Sequence, residues 1–236
     1  MDLVVLCSGL SRWTVPHPDW RPSPPGSPGD WDRDVGCVLY EAPDPDEPLL
    51  LVDPLAPQEG DAAVAFWQML DERVQRRRGA VVLVVLNSFH HRSAGLIAQR
   101  YAASGAVAVW AHADAADRHR GFGVPVTSSF RDDPELAKGI RAYSIEGLCP
   151  GESALYLPAA GALIVADSLL GGRDGGLRLP PITWARDPVR YREALRPSLR
   201  RLLALPFDCV VVSHGAPIVL GGHDAMAAAV GPAGQE

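Results

Sequence analysis

The run Ala80-Val81-Val82-Leu83-Val84-Val85-Leu86 narrows the choice of fold more than any other feature of this chain. Successive side chains of a strand point to opposite sides, so an unbroken apolar run has no face left for water. It reads as a strand buried on both faces. Segments with helical spacing bracket it. Asp61 to Arg78 offers Val64, Phe66, Trp67, Leu70 and Val74 for an inward face, and Ser93 to Ala103 is a second helix. A doubly buried strand between helices belongs to a layered α/β fold.

The rest of the chain follows suit. Strands are expected at Val35 to Glu41, Leu49 to Val52, Val107 to Trp110, Ile140 to Ile145, Ser153 to Leu157, Leu163 to Ala166 and Cys209 to Ser213, with Met1 to Leu10 as an opening strand. Helices are expected at Ala113 to His119, at Asp187 to Leu205 with a kink at Pro197, and at His223 to Val230. No tandem repeat or internal boundary interrupts the interleaving, so residues 1–236 read as a single domain. The exception is a Pro/Trp-rich N-terminal loop at 13–34, where prolines block regular structure. Its tryptophans Trp13, Trp20 and Trp31 need cover, so the loop should pack back onto the body of the fold.

Composition excludes several functions. The net charge is −6, the wrong sign for a general binder of nucleic acid or anionic membranes. The basic triplet Arg76–Arg78 reads as a helix end, since cations favour the negative end of the macrodipole. No apolar run approaches the ~20 residues of a membrane-spanning helix. The N-terminus lacks a basic region and a cleavage site, so a soluble cytoplasmic chain is the expectation. Cys7, Cys37, Cys149 and Cys209 contain no C-x-x-C pair and read as reduced thiols, the first, second and fourth as small core residues.

Three strands end abruptly in polar residues. Val81 to Leu86 runs into Asn87-Ser88-Phe89-His90-His91-Arg92-Ser93, Leu163 to Ala166 into Asp167-Ser168, and Val210 to Val212 into Ser213-His214-Gly215. Ligands gather where such strand ends converge. Two histidines and an aspartate there suit a metal, or an acid/base pair with an orienting carboxylate. Singly, each residue has a plainer reading: a hydrogen-bonded histidine after a strand, or Asp167 as a helix cap. Three at the same structural punctuation favour a shared site.

The ordered segments Leu49-Leu50-Leu51-Val52-Asp53, Leu86-Asn87-Ser88-Phe89-His90-His91-Arg92-Ser93, Gly147-Leu148-Cys149-Pro150-Gly151, Ala166-Asp167 and Ser213-His214-Gly215 resemble the metallo-β-lactamase superfamily, from about Val35 to Val230. They also resemble a subgroup with a degenerate metal motif, which shares the opening Trp13-Thr14-x-Pro16-His17-Pro18-x-Trp20 and the closing Ser213-His214-Gly215-x-Pro217. The resemblance implies an αββα sandwich, two mixed sheets face to face with helices on both outer sides and a metal site at one rim. Laid on this chain, the family's H-x-H-x-D-H signature falls on Ser88, His90, Arg92 and Ser93, and its next histidine on Leu148. His90, Asp167 and His214 are what remains, with Asp53 implied as a brace for the metal turn.

Serine is a poor zinc ligand, leucine is none, and Arg92 brings a fixed positive charge, so a two-metal centre is excluded. Two outcomes stay open. In one, His90, Asp167 and His214 hold one zinc, or iron or manganese, with Cys149 or His91 as a substitute ligand, in a hydrolase for a small ester, thioester or amide. In the other, Arg92 replaces the metal charge and pairs with Asp167, and the metal-free pocket binds an anionic small molecule or a partner. The Arg92 argument tips the balance toward no metal. Whether the chain is an enzyme stays open, as do its substrate and oligomeric state.

His17 is placed at the pocket mouth or, more plainly, in a backbone-bonded loop. His112, His119 and His223 are placed near helix ends or facing solvent.

Overall fold

The computed structural model describes residues 2–103, 106–132 and 134–232. Its larger sheet has seven strands in chain order: β1 (Val4–Cys7), β2 (Leu10–Pro16), β3 (Asp34–Glu41), β4 (Leu49–Val52), β5 (Val81–Val85), β6 (Val107–His112) and β7 (Ser128–Phe130). Pairing is antiparallel from β1 to β4 and parallel from β4 to β7. Parallel neighbours need crossovers, and these carry α1 (Gly60–Arg76), α2 (Ala94–Tyr101) and α3 (Ala113–Gly121). The second sheet contains β8 (Glu135–Ala137), β9 (Ile140–Ser144), β10 (Ser153–Leu157), β11 (Ala162–Val165) and β14 (Cys209–Val212), in the order β14-β11-β10-β9-β8. Within this sheet β11 and β14 pair in parallel, while β12 (Leu170–Gly171) and β13 (Leu177–Arg178) form a separate two-stranded ribbon.

Strand alternation explains the layers. Leu49, Leu51, Val81, Leu83 and Val85 pack with Phe66, Leu70, Ile97 and Ala116 of the helices. Their neighbours Leu50, Val52, Val82, Val84 and Leu86 turn the other way, toward Ala142, Leu155, Leu157, Ile164 and Val211 of the second sheet. On its far face Leu163, Val165, Val210 and Val212 meet Leu195, Leu199 and Met226. Those last three lie on a helical run over 188–204, which opens with α4 (Pro188–Arg190), and on α6 (Gly222–Val230). The result is an αββα sandwich. Each buried Leu or Val contributes about 1.5–3 kcal/mol, which is why the central strands tolerate no polar alternation.

Several expectations need correction. Met1 to Leu10 is not one strand: the chain reverses at Gly9, whose φ is +71° and whose missing Cβ would lie 2.2 Å from the Glu41 carbonyl oxygen. Trp13 belongs to β2 and not to the loop; it is buried, and its Nε1 donates to the Leu55 carbonyl at 2.9 Å. Val64 faces solvent, because it lies about 200° round the helix from Phe66. His112 and His119 are buried, and His112 accepts from the Asp114 backbone N–H while its Nε2 lies 2.9 Å from Ser144 Oγ. The run over 188–204 is not broken at Pro197. It widens into a π turn, Tyr191–Leu195, before α5 (Arg196–Arg201), absorbing the N–H that proline lacks.

Candidate functional site

Each strand end delivers one side chain to the same rim. After β4, Asp53 adopts φ +46°, unusual for a residue with a side chain. This conformation turns its carboxylate back, so Oδ1 accepts from the Leu86 N–H at 2.8 Å and Oδ2 lies 2.8 Å from His90 Nδ1. After β5, the Asn87 side chain shapes the turn by accepting from the Phe89 N–H at 2.8 Å. The turn aims the second nitrogen of His90 inward.

That nitrogen, Nε2, lies 3.3 Å from Asp167 Oδ1, beyond the end of β11. His214 follows β14 and brings its own Nε2 to 3.5 Å from the same oxygen. One donor atom from each of His90, Asp167 and His214 lies within 4.8 Å of the others. Asp167 Oδ1 is buried and accepts no well-directed hydrogen bond. Its other oxygen takes one from Asn87 Nδ2 at 2.9 Å.

A buried carboxylate that sequence reading missed holds this arrangement. Glu152, 1% exposed, accepts from the backbone N–H groups of Asp167 and Ser168 with Oε1, both at 2.8 Å, and from Asn87 Nδ2 with Oε2 at 2.6 Å. An acidic residue directly before the strand segment Ser153-Ala154-Leu155-Tyr156-Leu157 was the available signal, since it must lie at a sheet end. Two open cavities adjoin its loop. One of about 460 Å³ touches Glu152, Cys149 and Ser144, and one of about 540 Å³ touches Cys149, Leu148 and Arg186.

The His214 turn is tied to the larger sheet. The Gly36 N–H donates to the Ser213 carbonyl at 2.7 Å, and Arg12 Nη2 to the Gly215 carbonyl at 2.8 Å. Glycine at 36 makes room for that arginine, because a Cβ there would lie 2.5 Å from Arg12 Nη2. Gly36→Ala is therefore expected to displace the guanidinium and free the Gly215 carbonyl, costing about 1–3 kcal/mol. A urea midpoint unchanged from wild type would contradict this.

Electrostatics follows from the packing. Burial and Arg92 act to lower the His90 pKa, but Asp167 and Asp53 outweigh them and hold it at about 9. His214 goes to about 4, driven by burial, which the charge of Asp167 does not offset. Burial alone would raise Asp167, yet His90, His214 and Arg92 hold it well below the usual carboxylate range. Burial and then the charge of Asp167 push Glu152 up.

No protein-family model and no curated protein matches the sequence. Solved structures do match the fold. A metallo-beta-lactamase from Erythrobacter litoralis is 17% identical with a TM-score of 0.65, over 97% of this chain and 95% of that one. A metallo-beta-lactamase family protein from Thermus thermophilus is 20% identical with a TM-score of 0.56, over 92% and 77%. The metallo-beta-lactamase FIM-1 from Pseudomonas aeruginosa, in its mono-zinc form, is 12% identical with a TM-score of 0.62, over 98% and 96%. The chain has the metallo-β-lactamase fold.

Within this metallo-β-lactamase fold Asp53 and Arg92 touch His90, and the remaining candidate residues make contacts of their own. Ser93 Oγ accepts from the Ala56 N–H at 2.9 Å, bracing the start of α2. The Ser88 carbonyl accepts from Arg118 Nε at 2.9 Å. His91 stacks on Phe122 with ring centres 4.1 Å apart. Cys149 Sγ lies 3.7 Å from Glu152 Oε2, and burial, then Glu152, push its thiol up. His17 packs edge-on against Trp31 at 5.1 Å, and Trp31 in turn against His214 at 5.8 Å. Trp184 also packs edge-on with His214, at 5.7 Å.

Arg92 departs from expectation. Asp167 makes its ion pairs with His90 and His214, and not with Arg92. Arg92 Nη1 donates to the carbonyls of Gly36 at 3.0 Å and Asp53 at 2.8 Å, while Nη2 lies 3.3 Å from His90 Nε2. Two backbone carbonyls hold the guanidinium beside the donor group, leaving Asp167 Oδ1 open.

Proposed function

We infer that this metallo-β-lactamase-fold chain is hydrolase-like, with a reduced site that takes at most one metal ion and acts on a small ester, thioester or amide. The observation carrying this reading is the buried Asp167 Oδ1, unclaimed by any well-directed hydrogen bond and facing two imidazole Nε2 atoms. A two-metal centre does not fit, because Ser93 Oγ is engaged elsewhere and Leu148 is buried in an apolar cluster. One ion fits the donor set: two imidazoles and a carboxylate are the ligand types of a catalytic site with an open position.

When bound, zinc, iron or manganese supplies Lewis acidity toward a carbonyl oxygen. The chain's own residues do the rest. Asp53 accepts from His90 Nδ1–H, so Nε2 is the nitrogen that would give up its proton and offer a lone pair to an ion. Glu152 and Asn87 fix the Asp167 carboxylate, and the edges of Trp31 and Trp184 shield His214 from water. The cavities beside Cys149 and Glu152 are not lined by His90, Asp167 or His214.

A second reading rests on Arg92, whose guanidinium lies against His90 Nε2 without a carboxylate partner of its own. It could replace the metal charge and make the pocket a metal-free receptor for an anionic metabolite. Metal analysis of protein purified without chelator separates the two. About one ion per chain, lost in His90→Ala and in His214→Ala, supports the hydrolase-like reading. No metal in the wild type, with uptake created by Arg92→Asp, supports the receptor.

A further inference from the structure

Two of the four cysteines meet across the sandwich. Cys7 closes β1, at one edge of the seven-stranded sheet, and Cys209 opens β14, at one edge of the five-stranded sheet. Both pack in the cluster between the sheets. Cys7 Sγ donates to the Ala160 carbonyl at 3.4 Å, while the Cys209 N–H donates to the next carbonyl, that of Gly161, at 3.1 Å. The two side chains are neighbours, each thiol perturbing the other's ionisation. The other two are elsewhere: Cys37 Sγ accepts from the Leu55 N–H in the outer cluster, and Cys149 sits beside Glu152.

We propose that Cys7 and Cys209 are an oxidation site, forming a disulfide that fastens the first strand of one sheet to the last strand of the other. A small disulfide such as oxidised glutathione is a sufficient oxidant. The half-buried Cys7, as thiolate, attacks it to give a mixed disulfide and releases one glutathione thiolate. Cys209, as thiolate, then attacks the Cys7 sulfur and releases the second. Two protein thiols lose two protons and two electrons, and one glutathione disulfide becomes two thiols. Burial raises both cysteines, Cys209 to about 12, so the exchange is slow in the folded protein. The bond would close a loop of almost the whole chain, the case in which a cross-link removes most entropy from the unfolded state. It would also pin β1, whose Val4 and Val5 are exposed at the sheet edge.

The test is incubation of the folded full chain with oxidised glutathione, followed by thiol counting under denaturing conditions and peptide mapping. The count should fall from four to two, with a Cys7–Cys209 linked peptide. The melting temperature should rise by about 5–10 °C and return with dithiothreitol. Neither Cys7→Ser nor Cys209→Ser should show that rise. Four remaining thiols, glutathione held on Cys7 without the linked peptide, or a link between another pair would each overturn the proposal. The wild-type peptide map decides this even if a serine variant fails to fold.

Discussion

Glu152→Ala is expected to lower stability by about 3–5 kcal/mol, seen as a large drop in the urea midpoint. The substitution strips acceptors from three donors at once: the backbone N–H groups of Asp167 and Ser168, and Asn87 Nδ2. Each buried donor left unpaired costs about 1–3 kcal/mol. Glu152→Gln separates this from simple loss of packing. A glutamine oxygen can still serve the two backbone groups, but its amide then faces the Asn87 amide, donor against donor. It should lie between wild type and alanine. An alanine variant as stable as wild type would mean that Glu152 does not organise the Asp167 turn.

Asp53→Asn should weaken metal binding about 10–100-fold while the protein stays folded. Asparagine has the shape of aspartate and tolerates the φ of +46° found at this position. Its oxygen can keep the bond from the Leu86 N–H. The amide nitrogen then faces His90 Nδ1 and donates to it. That moves the ring proton to Nε2, the nitrogen that must offer a lone pair. Zinc titration read by calorimetry, with circular dichroism as the folding control, checks this. Equal affinity in both proteins would mean that His90 Nε2 is not a ligand.

How much of this was legible in the sequence depended on range. The β5 segment declares double burial by its lack of polar alternation, and the structure splits its side chains between two apolar layers. The strand-end rule nominated His90, Asp167 and His214, because an apolar run that stops at a polar residue marks a sheet end. Residues acting across the chain were not legible. Glu152 meets Asn87 and Asp167 through the register of β10 on β11, which no local pattern encodes. The strands β7 and β8 are too short to show a period of two. His119 lies near its helix end as expected, but its burial is decided by packing, because the helix is weakly amphipathic. The metal-free outcome pairs Arg92 with Asp167, whereas backbone carbonyls of Gly36 and Asp53 claim its guanidinium.

The most direct test of the whole account is a zinc titration of chelator-treated protein, with bound metal counted per chain. Saturation at one ion, abolished by His90→Ala and by His214→Ala, is the predicted result. Saturation at two ions, or no binding until Arg92 is replaced by aspartate, would contradict it.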